Sequence, residues 1–129
     1  MNPNERELHY PWAEPPLTGA WVTLRPGLHW VRMPLPFAPD HINLWVLDDQ
    51  ISGRPGYTIV DSGISSDETR AAWVRVFDGL FDGRPLLRLL CTHFHPDHFG
   101  LAHWLTTGAD RARWTAPLWM TATEYAFGR

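Results

Sequence analysis

The segment Cys91–Gly100, CTHFHPDHFG, follows the apolar run LLRLL and concentrates three histidines and one aspartate within six residues. Side chains of an extended segment alternate between two sides, so His93 and His95 are expected on the same side. Two imidazoles spaced in this way can bind one metal ion. The segment therefore predicts a metal site in a loop directly after a buried strand.

The second half of the loop adds two more donor groups. Pro96 suits the first turn of a helix, which places Asp97 and His98 near that helix's N-terminus, where they can turn back toward the same cavity. Three imidazole nitrogens and one carboxylate suit zinc, iron or manganese, and differ from the all-thiolate set of a structural zinc finger. The alternative is a chance gathering of histidines in a polar loop. The H-x-H-x-D-H pattern after a buried strand favours a ligand set.

Upstream of the loop, the sequence predicts strands followed by a helix. β-Branched and aromatic residues predict short strands in residues 21–36, with a turn at Pro26 and Gly27, and further strands in 41–49 and 57–63, separated by a hairpin-like loop over 49–56. An apolar stripe at helical spacing predicts a helix over 67–81, with Ser65 and Glu68 as its capping box.

Around and beyond the loop, strand and helix patterns alternate again. Residues 86–92 predict a buried strand, 97–107 a second helix closed by Gly108, 115–122 a strand and 123–129 the opening of a helix. The order of elements is that of an α/β (α+β) fold.

The loop, together with IVDSG at Ile59–Gly63, resembles the signature of the metallo-β-lactamase-fold hydrolases. THFHPDHFG is similar to that family's histidine loop, and DSG to its Asp-x-Gly strand end. The order of strand, DSG, helix, strand, histidine loop and helix is also the family's order, from about Val22 to the C-terminus. APDHINL resembles the strand entry of thioesterase-like and glyoxalase II-like members.

This resemblance implies a fold, a cofactor and a set of residue roles. The fold would be a four-layered αβ/βα sandwich with the metal site at one edge, and the cofactor two divalent ions, zinc first, with iron or manganese as alternatives. His93 and His95 would bind the first ion and Asp97 and His98 the second, with Asp97 also orienting the nucleophile as the catalytic residue. Asp61 would hydrogen-bond near the site and orient ligands. The ions would share a water and lower its pKa, so that a bridging hydroxide attacks the substrate.

Composition limits the range of partners. The 129 residues suit one domain, with an irregular arm over 1–20 and the metallo-β-lactamase-like part over 21–129. A net charge of −3 without a basic block argues against nucleic acid, and no apolar run suggests a membrane span or secretory signal. We expect a cytoplasmic protein that acts on a small molecule.

Several other residues attract attention but have simpler interpretations. Cys91 is expected in the core rather than in catalysis. His103 has the wrong helical spacing to join His98, and His9, His29 and His41 have no motif around them. The eight tryptophans are scattered through every segment and are expected mainly to fill core and interfaces.

The sequence departs from the family after the histidine loop. The family takes a third histidine for the first ion, a bridging aspartate and a last histidine from the second half of its chain. After His98 this sequence contains only His103 among histidines and only Asp110 among aspartates. The chain is therefore expected to supply half of the ligands, as the N-terminal half of a sandwich truncated at its C-terminus.

Three hypotheses follow for the function. The first is that the chain is the front part of a metal-dependent hydrolase that acts on a thioester or another carboxylic ester or lactone, with a β-lactam as the alternative substrate. The second is that it is a half-domain that assembles as an oligomer or with a partner to build the site. The third is that it is a non-catalytic remnant.

Overall fold

A computed structural model describes residues 11–12, 14–107 and 114–128, which form one six-stranded sheet with helices against one face. The strands lie side by side in chain order. They are β1 Trp21–Arg25, β2 Leu28–Pro34, β3 His41–Ile51, β4 Arg54–Val60, β5 Leu86–Leu90 and β6 Leu118–Trp119. The helices are α1 Asp67–Val76, which continues as a π-helical turn over Phe77–Phe81, α2 Pro96–Phe99, α3 Ala102–Thr107 and α4 Ala122–Gly128. The predicted mixed α/β fold is confirmed.

Short turns join the first four strands into an antiparallel meander. Gly27 has a φ of 82° between β1 and β2, and Ser52 and Gly53 have φ values of 52° and 79° between β3 and β4. Two consecutive positive φ values are the mark of a tight two-residue hairpin. The loop predicted over 49–56 is therefore only two residues long, and both strands extend to its edge.

The last strands run parallel because each is reached through helices. β5 pairs parallel with β4 after α1, and β6 pairs parallel with β5 after α2 and α3. Parallel neighbours need such a crossover. Their carboxyl ends consequently meet at one edge of the sheet, and this edge carries the DSG segment and the histidine loop.

Helix α1 begins at Asp67, as predicted, but its N-cap is not the predicted residue. Ser66 is the N-cap, with extended backbone, and its hydroxyl accepts a hydrogen bond from the Thr69 amide. The predicted capping box of Ser65 and Glu68 is wrong, since Ser65 instead accepts a bond from Arg70. A serine–serine pair leaves the cap ambiguous in sequence, because either hydroxyl has a suitable residue three positions on.

The second predicted helix is broken into α2 and α3 at Gly100 and Leu101. The amide of Leu101, which a continuous helix would use internally, donates instead to the hydroxyl of Ser62 at 3.0 Å. The predicted strand over 115–122 is reduced to two residues.

The core lies between the helices and one face of the sheet. It contains alternate residues of the central strands and the inward faces of α1, the π-helical turn and α3, including Val31, Leu44, Ile59, Trp73, Phe77 and Leu105. Trp73 is fully buried, whereas Trp12, Trp21 and Trp119 are exposed, so the core interpretation of the tryptophans holds for only some of them.

Some predictions fall on residues that the structure does not describe. Residues 1–10 and 13 of the predicted arm, with His9 among them, lie outside the described residues, as do Asp110 and Gly108, which was predicted to close the second helix. Residues 14–20 form no helix or strand. Among the described residues, none of the helices is long and apolar enough to cross a membrane.

Candidate metal centre

The DSG segment and the histidine loop meet where β4 and β5 end. Asp61 directly follows β4, and its amide donates to the carbonyl of Leu90, the last residue of β5, at 2.8 Å. The chain then continues from Leu90 into Cys91 and the loop. Parallel pairing therefore places side chains from two distant segments at one edge of the sheet.

Asp61 is buried and accepts hydrogen bonds from two residues of the loop. Its Oδ1 accepts the Thr92 amide at 2.7 Å, and its Oδ2 accepts the Thr92 hydroxyl at 2.9 Å. Oδ2 also lies 2.9 Å from Nδ1 of His98. The carboxylate thus connects the start of the loop to its last histidine.

Ser62 attaches the far end of the loop to β4. Its amide and its hydroxyl both lie within hydrogen-bonding distance of the His98 carbonyl, at 2.7 and 2.9 Å. Its own carbonyl accepts from the indole of Trp73 at 2.7 Å. No local sequence pattern predicts this role for Ser62, which is only a small residue between Asp61 and Gly63.

The histidine loop and the chain after the DSG segment pass each other so closely that a side chain at Gly100 would not fit. A Cβ on Gly100 would lie 2.5 Å from the Pro96 carbonyl and 2.8 Å from the Ser65 amide. The backbone of Gly100 is ordinary, with φ of −58°. Glycine is therefore required at position 100 because there is no room for a Cβ atom, and not because of an unusual backbone conformation.

The three histidines of the loop gather at this edge. The ring centroids of His93 and His98 are 4.0 Å apart, and those of His93 and His95 are 4.7 Å apart. Nε2 of His98 lies 3.5 Å from Oδ2 of Asp97. All four predicted ligands are therefore neighbours, whereas His103 is exposed on α3 and takes no part.

The donor set fits a divalent ion in its chemistry, since imidazole nitrogens and a carboxylate oxygen are ligands of zinc, iron and manganese. Within the described ranges, no three histidine, cysteine, aspartate or glutamate side chains converge on a common point. The predicted assignment of ligands to two ions stays a prediction.

Cys91 lies beside the site but is a poor nucleophile. It is 3% exposed, and its thiol points to the His98 carbonyl at 3.7 Å. Burial, and to a smaller extent the charge of Asp61, raises the pKa of the Cys91 thiol to about 12. The thiol is therefore protonated at neutral pH, in agreement with its predicted place in the core.

The histidines outside the loop differ from one another. His41 is partly exposed and bonds Asp40 at 3.0 Å, whereas His29 is buried. Its two ring nitrogens lie 2.9 Å from the Thr23 hydroxyl and 2.8 Å from the Asp48 carboxylate. His29 thus links β1, β2 and β3, a role that no local sequence pattern indicates.

Comparison with known proteins adds a family and several similar structures. The model of the metallo-beta-lactamase superfamily matches residues 37–127. A beta-lactamase domain protein from Burkholderia ambifaria is 55% identical, with a TM-score of 0.93; the match covers 96% of this chain and 39% of that one. No curated protein matches the chain.

Two further structures are more distant. A metallo-beta-lactamase family protein from Thermus thermophilus is 28% identical, with a TM-score of 0.62, over 81% of this chain and 32% of that one. A metallo beta lactamase from Hirschia baltica is 17% identical, with a TM-score of 0.57, over 89% of this chain and 47% of that one. At this identity the likeness shows the fold alone. The chain thus spans about two fifths of the first structure and a third of the second.

Proposed function

The chain belongs to the metallo-beta-lactamase superfamily, and we propose that it forms part of a metal-dependent hydrolase that cleaves a thioester or another carboxylic ester or lactone. Membership of the superfamily suggests a metal-dependent hydrolase; the bond that is cleaved is the proposal. The observation that supports metal-dependent hydrolysis is the cluster of His93, His95, Asp97 and His98 at the edge where β4 and β5 end.

In this proposal the loop supplies four ligands. His93 and His95 would hold one divalent ion, and Asp97 and His98 would hold a second, with zinc favoured and iron or manganese as alternatives. When bound, such ions supply Lewis acidity and make water acidic enough to act as a nucleophile near neutral pH. Asp97, the proposed catalytic residue, would also orient the attacking water. Cys91, with its raised pKa, takes no part in the attack.

Asp61 contributes by orienting His98. Because a carboxylate only accepts hydrogen bonds, the contact at 2.9 Å requires the proton of His98 on Nδ1. The lone pair of that imidazole is then on Nε2, the nitrogen nearest to Asp97. This is the arrangement in which a carboxylate fixes the tautomer of a metal-binding histidine.

Apolar side chains beside the ligands support a substrate with an apolar part. Phe94 is 37% exposed, its ring is 5.4 Å from that of His95, and it lies 6.3 Å from Phe127 of α4, which is 73% exposed. An acyl chain or ring next to the scissile carbonyl would pack on these two rings. A β-lactam is the alternative, and nucleic acid is not proposed because the net charge is −3.

The remaining ligands would come from elsewhere in the complete protein or from a partner. The solved structure with 55% identity is more than twice as long as the matched segment. A half-domain that completes its site in an oligomer is the second arrangement. A non-catalytic chain is favoured only by the lack of three converged donors among the described residues.

The test has two parts. Equilibrium dialysis measures Zn²⁺ binding to the 129-residue chain, to His95→Ala and to His103→Ala, an exposed histidine outside the cluster. We expect His95→Ala to weaken binding and His103→Ala to leave it unchanged. The zinc-loaded natural protein that carries these residues is then assayed on thioester, lactone, β-lactam and phosphodiester substrates. Absence of hydrolysis on all four would reject the enzyme proposal.

A further inference from the structure

Thr92 lies between the buried carboxylate and the first histidine of the loop. Its hydroxyl oxygen is 2.9 Å from Oδ2 and 3.1 Å from Oδ1 of Asp61, and 2.7 Å from Nδ1 of His93. Its amide also donates to Asp61 at 2.7 Å. Two bonds to one carboxylate therefore hold the hydroxyl in place against His93.

The chemistry of the three groups fixes the direction of these bonds. A hydroxyl has one proton to donate, and a carboxylate can only accept. The Thr92 proton therefore points to Asp61, which leaves the hydroxyl oxygen as an acceptor toward His93. Nδ1 of His93 must then carry the imidazole proton, and the lone pair is on Nε2.

His93 thus acquires the same tautomer as His98 from the same carboxylate. Asp61 binds His98 directly and reaches His93 through Thr92. The two rings are neighbours, with centroids 4.0 Å apart. One buried aspartate can therefore set the tautomer of both imidazoles and leave Nε2 of each as the nitrogen with the lone pair.

We propose that Thr92 is a positioning residue that couples Asp61 to His93 and fixes the Nδ1–H tautomer of that histidine, which prepares Nε2 for a divalent ion. The tautomer can be tested without metal. The consequence for metal binding rests on the proposed function. Hydrogen-bond partners of metal-binding histidines typically change metal affinity 10- to 100-fold when they are removed.

The first experiment reads the tautomer in the metal-free chain. Long-range ¹H–¹⁵N correlation spectra are recorded about two pH units above the ordinary imidazole pKa of about 6.5, where neutral rings dominate. In the unmodified chain we expect His93 and His98 as Nδ1–H tautomers. A His93 with its proton on Nε2 would overturn the proposal without any variant.

Variants of Thr92 then separate the hydroxyl from the packing. Thr92→Val keeps the branched shape and removes the hydroxyl, whereas Thr92→Ser keeps the hydroxyl. We expect His93 to lose its fixed tautomer in Thr92→Val and to keep it in Thr92→Ser. The tautomer of the exposed His103 should be the same in all three proteins and serves as an internal reference. A His93 that keeps Nδ1–H in folded Thr92→Val would contradict the proposal. If that variant does not fold, loss of the tautomer in Thr92→Ser contradicts it equally.

Zinc affinity is measured on the same proteins by competition with a chromophoric chelator. We expect a 10- to 100-fold weaker affinity in Thr92→Val and nearly full recovery in Thr92→Ser. Equal affinities despite a changed tautomer would overturn the link to metal binding. If no protein binds zinc but the tautomers behave as expected, the proposed function fails while the role of Thr92 toward His93 stands.

Discussion

Asp61 combines an uncommon backbone conformation with an unusually full set of hydrogen bonds. Its φ of 65° lies in the left-handed region, which aspartate and asparagine tolerate better than most residues. Its two oxygens face three donors, the amide and hydroxyl of Thr92 and Nδ1 of His98. A carboxylate accepts all three, so both the backbone and the site favour aspartate at this position.

Replacing Asp61 by asparagine tests the carboxylate while keeping the backbone preference. The amide has one acceptor oxygen, and its NH₂ group would face a donor of Thr92 or His98. We expect Asp61→Asn to bind Zn²⁺ about 10- to 100-fold more weakly, measured by chelator competition. Asp67→Asn is the control, since Asp67 forms an exposed ion pair with Arg70 away from the loop. Unchanged affinity in a folded Asp61→Asn chain would contradict the orienting role.

The Cys91 thiol gives a prediction about pH. Its pKa of about 12 in the folded chain exceeds that of an unfolded thiol, about 8.5. The protonated thiol therefore contributes stability that is fully present below about pH 8.5 and is lost as the pH rises toward 12.

We accordingly expect iodoacetamide at about pH 8.5 to modify native Cys91 at least about 100-fold more slowly than the urea-unfolded chain, because thiolate is the reactive form. Mass spectrometry over time measures both rates. The alkaline loss of stability should be smaller in Cys91→Ala. Similar alkylation rates in the native and unfolded chains would show that the thiol is not buried and that its pKa is not raised.

Among the elements, α1 determines how the turn after β4 is arranged. The helix begins at Asp67 after the Ser66 cap, and its Trp73 indole donates to the Ser62 carbonyl. Ser62 in turn binds the His98 carbonyl. Helix α1 therefore supports the histidine loop through a single intervening serine.

The cap of α1 can be tested with two neighbouring serines. Ser66→Ala removes the acceptor for the Thr69 amide and should lower the free energy of unfolding by about 1 kcal/mol. Ser65→Ala is the matched control, expected to change it by less than about 0.5 kcal/mol, because Ser65 only accepts an exposed bond from Arg70. Urea unfolding followed by tryptophan fluorescence measures both. A larger loss in Ser65→Ala would restore the cap predicted from sequence.

At the scale of the whole molecule, the described residues form two layers. Helices cover one face of the sheet, and one register row on the opposite face is apolar in all six strands. That row runs through Val22, Trp30, Trp45, Val60, Leu90 and Trp119. Leu90 and Trp119 are 39% and 53% exposed. A face of this kind normally packs against another layer. The second sheet of a four-layered sandwich would cover it, and the prediction that this chain is half of such a sandwich remains a prediction.

Local patterns predicted the elements well where they repeat over several residues. The strands in 41–60 and the helix at 67–81 follow from apolar periodicity, because burial of one face requires it. The failures are points where a distant group competes with the local pattern. Ser62, from the turn after β4, takes the Leu101 amide where the second helix is broken. The cap was missed because two adjacent serines offer equivalent hydroxyls, and the Thr69 amide donates to Ser66.

The sequence alone identified the family and predicted the donor groups of the site, because three imidazoles and a carboxylate in one loop form a local pattern of donors. How these donors are held follows from contacts between segments that are distant in the chain. Thr92 and His98 contact Asp61 across 31 and 37 residues of chain, and Ser62 reaches His98 across 36. No local periodicity encodes such contacts. They arise because β4 and β5 run parallel and end at the same edge of the sheet.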